Sequence, residues 1–122
     1  MYKEIGWYPI ELSSAAITNK LFEGVNNPMS VFHWHSDTFD LPQNTLHLAS
    51  SEGCKNQAFL YDKKVLGLQF HLEMSETTLK KMLKNGKQEL IKEDYIQTEQ
   101  EILKNQKFMR ICIKKLAGIL LS

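Results

Sequence analysis

The run Val65-Leu-Gly-Leu-Gln-Phe-His-Leu-Glu-Met-Ser-Glu76 changes its periodicity part-way along. As far as Phe70 it reads as a strand, bounded upstream by Asp62-Lys63-Lys64. At Ser75 it becomes a helix start, because a serine hydroxyl can accept from an orphan N–H of the first turn and Glu76 favours the helix dipole there. Leu79, Met82 and Leu83 then line one helical face, and Gly86 closes it. A strand running directly into a capped helix predicts an α/β protein.

Working outward, residues 56–61 and 65–70 predict a β-hairpin, although its turn is not of the Asn-Gly type. Residues 45–50 alternate as a strand. Residues 30–35 read as another, with Val31, His33 and His35 on one side and Phe32 and Trp34 on the other. Asn26-Asn27-Pro28 and residues 40–44 carry turn chemistry. Residues 4–12, with Gly6 and Pro9, predict an edge strand, and Ser13 or Ser14 caps a helix of about two turns that ends at Gly24. Downstream, Ile102, Leu103, Phe108, Met109, Cys112 and Leu116 recur at helical spacing, which predicts one helix over about 97–120.

The chain has 122 residues, which fits one domain at most. Its net charge of +1 hides a split. Residues 1–74 carry five Lys against eight Asp and Glu, hence −3; residues 75–122 carry ten Lys and Arg against six Asp and Glu, hence +4. All four histidines and both tryptophans lie in the first part, so that part reads as a site and the helical tail as packing. The lysines of the tail are interspersed with acids and glutamines and lack an aromatic stacking platform, which argues for a solvated face and against nucleic-acid binding. No apolar run approaches the roughly 18 residues of a membrane span, and Met1-Tyr2-Lys3-Glu4 lacks a secretory profile. Two cysteines make no disulfide framework, so a cytoplasmic home is expected.

Two clusters could carry chemistry. His71 and Glu73 stand two residues apart and emerge on one face if the strand continues past Phe70. A carboxylate beside an imidazole fixes its tautomer and stabilises the imidazolium, as a general base requires. The spacing alone leaves catalysis, metal ligation and an ordinary surface pair all open. In the second cluster, His33 and His35 share a strand face with Asp37 or Asp40 close behind, which reads as a cupin-like metal site or as a polar strand end entering a loop; the metal reading also requires His71 to approach and a mainly β barrel, whereas residues 75–122 read as helical.

Taken in order, Glu4-Ile-Gly-Trp7, Val31-Phe-His-Trp-His-Ser-Asp-Thr-Phe-Asp-Leu-Pro42, Leu48-Ala-Ser-Ser51, Cys54-Lys-Asn-Gln-Ala-Phe59 and Gly67-Leu-Gln-Phe-His-Leu-Glu73 resemble class I glutamine amidotransferases, in particular their GMP synthase-like branch. The resemblance implies part of a flavodoxin-like three-layer α/β fold. Antiparallel strands and the hairpin would occupy residues 4–70, with helices C-terminal to them. It implies glutamine amide hydrolysis by a Cys-His-Glu triad, with His71 as base and Glu73 as the orienting carboxylate. Leu72 stands where related enzymes often have Pro, and points away from the pair. Ser36 and Asp37 resemble the stretch that holds the α-amino and α-carboxylate groups of glutamine. No cofactor and no metal ligand are implied; the partner would be a synthase that receives ammonia.

The family's nucleophilic cysteine sits within a G-x-C-x-G turn, and that motif is absent from this sequence. Cys54 leads into a predicted strand rather than a helix N-terminus, and Cys112 falls on the apolar side of a helix. Residues 1–122 are therefore expected to be the C-terminal part of one amidotransferase domain, beginning at an internal-looking Met1. Residues 1–74 would be its strand-rich portion and 75–122 its helical tail. On this reading the chain is inactive alone. It is a truncated product or one half of a split enzyme whose N-terminal half lies elsewhere, the alternative being a non-catalytic interaction module.

Overall fold

The computed structural model describes residues 2–120. Five strands, β1 (Glu4–Leu12), β2 (Met29–His35), β3 (Thr45–Ser50), β4 (Ala58–Tyr61) and β5 (Val65–Leu68), form one antiparallel sheet in the order β2-β1-β3-β4-β5. Helices α1 (Ser14–Ile17), α2 (Glu76–Gly86), α3 (Glu99–Lys104) and α4 (Lys107–Leu120) complete the α/β architecture.

The sheet curls until its ends meet. Beyond β5, the Gln69 amide donates to the Gln57 carbonyl (2.8 Å), extending the β4–β5 ladder, and two residues later the His71 amide donates to the Phe32 carbonyl of β2 (2.9 Å). The hairpin between β4 and β5 turns through Asp62 (φ 51°) and Lys63 (φ 56°), with the Lys64 amide closing on the Tyr61 carbonyl at 3.0 Å. Two successive left-handed residues match the primed turn that suits the right-handed twist of paired strands, here built without glycine.

β1 is an interior strand, not the edge strand that Gly6 and Pro9 suggested. It pairs with β2 from Glu4 to Ile10 and with β3 at Glu11 and Leu12. Along the rest of that second side, residues 95–97 take the place of a strand: the Ile5 amide donates to the Tyr95 carbonyl and the Gln97 amide to the Ile5 carbonyl, both at 2.9 Å. Gly6 makes room for this, since with its φ of +130° a Cβ would lie 2.5 Å from Gln97 Oε1.

Ile5, Trp7, Phe32, Leu48, Leu79 and Ile102 lie in the core. Trp7 packs on Phe32 (5.1 Å between ring centroids) and on Phe108 of α4 (6.1 Å), so helices cover that face of the sheet. The helix expected after Ser13 breaks into the single turn of α1 and a 3-10 turn at Lys20–Phe22, because Asn19 caps the second piece with its own side chain. The long helix expected over about 97–120 is likewise two. Thr98 and Glu101 form a capping box that starts α3, and the Asn105 side-chain amide bonds back to the Glu101 carbonyl (2.9 Å) where α3 ends. Among the described residues no helix is long and apolar enough to cross a membrane.

Candidate functional site

Where the curled sheet closes, the backbone continues in strand-like alternation through residues 71–74. Leu72 and Met74 are buried, while His71 and Glu73 face outward. This puts both side chains on one side, and His71 Nδ1 stands 2.6 Å from Glu73 Oε1. An ionised Glu73 can only accept, so Nδ1 is the donor of this bond, and in the neutral ring the lone pair then belongs to Nε2. The two side chains are 33% and 59% exposed, so the pair lies open on the surface of this chain. Immediately afterwards Ser75 accepts from the Thr78 amide (3.2 Å) and α2 begins, as the sequence indicates.

Ser36 and Asp37 follow the end of β2 as an exposed bend. Gln69, two residues before His71, donates from Nε2 to the Asp37 carbonyl at 3.0 Å. Asn56 donates to the Phe39 carbonyl (2.8 Å) and Cys54 Sγ lies 3.2 Å from Thr38 Oγ1, so the next residues of this loop are held as well. Ser36 and Asp37 are thus anchored beside the strand end that carries His71 and Glu73.

On the opposite side of β2 lies a buried polar network. His71 bridges to Phe32 and shares its side, whereas His33 and His35 point the other way and meet Glu4, which stands directly across from His35 in the β1–β2 register. Glu4 Oε1 lies 3.0 Å from His35 Nε2 and 3.7 Å from His33 Nδ1. It also accepts from Gln57 Nε2 (2.7 Å), and Oε2 accepts from the Ser51 hydroxyl (2.7 Å). Burial pushes the Glu4 carboxyl up, but the His35 hydrogen bond, the His33 imidazole and the Ser51 hydroxyl reverse this and hold it below its ordinary value. Burial pushes His33 down to about 4, against the pull of Glu4. The carboxylate that joins the two histidines is therefore Glu4, not Asp37 or Asp40. Sequence reasoning missed Glu4, Ser51 and Gln57 as one cluster. Each lies in a separate block of the family resemblance, and that was the available signal.

Neither thiol lies beside the His71–Glu73 pair through any described hydrogen bond. Cys54 is buried against Thr38 and the Asn56 carbonyl. Cys112 lies 3.5 Å from the Ser30 carbonyl, and burial pushes its thiol up to about 11.

Comparison with known proteins shows the family of the chain. The profile of the family described as glutamine amidotransferase class-I matches residues 6–90. The glutamine amidotransferase-like protein YfeJ of Salmonella typhimurium is 38% identical over 88 residues, which is 72% of this chain and 37% of that protein. A glutamine-hydrolyzing GMP synthase subunit from Methanosphaera stadtmanae is 38% identical over 61 residues, 48% of this chain and 33% of that one. Among solved structures, a glutamine amidotransferase from Thermotoga maritima superposes with a TM-score of 0.80 at 34% identity, over 98% of this chain and 50% of its own. The chain thus spans about a third of these two curated relatives and half of the solved one.

Proposed function

The chain belongs to the class I glutamine amidotransferase family, and from that premise we propose that it is the C-terminal part of a glutamine amidotransferase domain, with His71 as general base and Glu73 as the carboxylate that orients it. The observation that carries this reading is the 2.6 Å contact between His71 Nδ1 and Glu73 Oε1 at the junction between the closed sheet and α2.

In the proposed chemistry, His71 Nε2 takes the proton of a cysteine thiol, and Glu73 stabilises the imidazolium through Nδ1. The thiolate attacks the side-chain amide carbon of glutamine. The C–N bond breaks, the nitrogen leaves as ammonia with the proton held by His71, and a thioester remains. His71 then deprotonates water, which hydrolyses the thioester to glutamate and restores the thiol. Ser36 and Asp37 hold the α-amino and α-carboxylate groups of glutamine, a role supported by the Gln69 tie that fixes their loop.

The nucleophile belongs to the half of the fold that this chain does not span. Two observations support that assignment: both cysteines here are buried, and the chain covers half of the Thermotoga structure. The ammonia would pass to a synthase domain or subunit in the cytoplasm, in keeping with the kinship to a GMP synthase component.

The test supplies the nucleophile-bearing half of a related amidotransferase in trans or as a fusion and measures glutamate release. The chain alone should show no glutaminase activity and no labelling by a glutamine-mimicking electrophile. The complemented enzyme should turn over, and His71→Ala should cost at least about a hundredfold of that rate. Stoichiometric labelling of Cys54, or restored turnover indifferent to His71→Ala, overturns the proposal. A stable complex without turnover would make the chain a docking module instead.

A further inference from the structure

We infer that Glu4, His33 and His35 form a binding site for one divalent transition-metal ion of the zinc type, separate from the His71–Glu73 pair. The three candidate ligand atoms already stand at metal-binding spacing. Glu4 Oε1 and His35 Nε2 are 3.0 Å apart, His33 Nδ1 and His35 Nε2 are 3.4 Å apart, and Glu4 Oε1 and His33 Nδ1 are 3.7 Å apart. A tetrahedral zinc ion with bonds of about 2.0–2.1 Å sets its ligands about 3.3–3.4 Å from one another, so these atoms occupy three corners of such a tetrahedron with small adjustments. Two imidazole nitrogens with one carboxylate favour zinc-like ions over magnesium or calcium, which prefer all-oxygen shells.

The surroundings hold the His33 and Glu4 ligand atoms in the required state. His33 Nε2 lies 3.2 Å from the Tyr8 carbonyl, which can only accept, so Nε2 carries the proton and Nδ1 turns its lone pair to the cluster. The other oxygen of Glu4 is occupied by the Ser51 hydroxyl and Oε1 is steadied by Gln57, an outer shell of the kind that orients metal ligands. His35 Nδ1 is buried and without a partner, so the ring proton can move there from Nε2 without breaking a hydrogen bond at that atom. The ion then takes the place of the proton that His35 Nε2 shares with Glu4. Three protein ligands leave the fourth corner for a water molecule.

The experiment titrates the full chain with cobalt(II) alone and then displaces it with zinc(II). One equivalent of cobalt should give the intense visible bands of a tetrahedral site. Affinity should fall at least about tenfold in His35→Gln and in Glu4→Gln, and should be unchanged in His71→Ala. Because Glu4 and His35 are buried and their variants can lose fold, X-ray absorption on the zinc-loaded wild-type chain supplies a reading that needs no substitution: two imidazoles in the first shell. A saturated chain without tetrahedral bands, a first shell with fewer than two imidazoles, or binding lost in His71→Ala each overturns the site.

Discussion

Cys112 sits on α4 with 1% of its surface exposed, and burial holds its thiol at about 11 against an ordinary value of 9.0. A folded-state value above the unfolded one means that the folded chain binds the proton more tightly. The resulting stability is fully present below about pH 9 and is lost as pH rises through 11, at roughly 1.4 kcal/mol for each pH step between the two values. Tyr8, pushed up to about 12 by burial and then by Glu101 and Glu4, acts in the same direction. The urea midpoint should therefore fall between pH 9 and 11, and Cys112→Ala should flatten that fall while leaving the shallower part due to Tyr8. An undiminished slope in the variant would refute the assignment. The burial of Cys112 was legible in the sequence, because helical spacing alone puts it on an apolar face. The contact of His71 with Glu73 was legible too, since two residues in strand alternation share a side. Glu4 was not, because its histidine partners are 29 and 31 positions away and become neighbours only through the β1–β2 register.

The β4–β5 hairpin shows what one element can hide. Its strands could be read from alternation, but Asp62-Lys63 lacks the glycine that usually announces a primed turn. The structure nevertheless puts both residues in the left-handed region. A left-handed residue with a Cβ costs about 1–2 kcal/mol, partly offset in Lys63→Gly by the greater entropy glycine loses on folding, about 0.5–1 kcal/mol. Lys63→Gly should thus stabilise the chain by a few tenths to about 1 kcal/mol, seen as a higher urea midpoint with an unchanged m-value. A lower midpoint would mean that the turn is not held in this conformation. The same limit explains the two helices that read as one. Ile102 to Leu116 keep an apolar period straight through Asn105 and Gln106, so the pattern is continuous while the backbone is not. Local hydrogen bonds from Asn105, invisible to periodicity, set the break.

Across the whole molecule, the acidic strand-rich part and the basic helical part are joined at β1, through a residue that sequence reading passed over. The Gln97 side chain grips the Trp7 peptide from both sides, its Oε1 accepting from the Trp7 amide and its Nε2 donating to the Trp7 carbonyl, each at 3.0 Å. Backbone bonds from residues 95 and 97 to Ile5 flank this grip, and α3 starts immediately beyond it. Removing the carboxamide leaves two partly buried backbone groups of β1 without partners, at about 1–3 kcal/mol. Gln97→Ala should therefore lower stability by that amount and, more tellingly, loosen one part from the other. In the wild-type chain, unfolding followed by tryptophan fluorescence, which reports on Trp7 and Trp34, should coincide with unfolding followed by the far-ultraviolet helical signal. In Gln97→Ala the helical transition should move to lower urea than the fluorescence transition, and the Trp7 amide should lose its protection from hydrogen exchange. If the two transitions shift together and Trp7 stays protected, β1 holds the helical part by packing of Trp7 on Phe108 rather than by the Gln97 clamp.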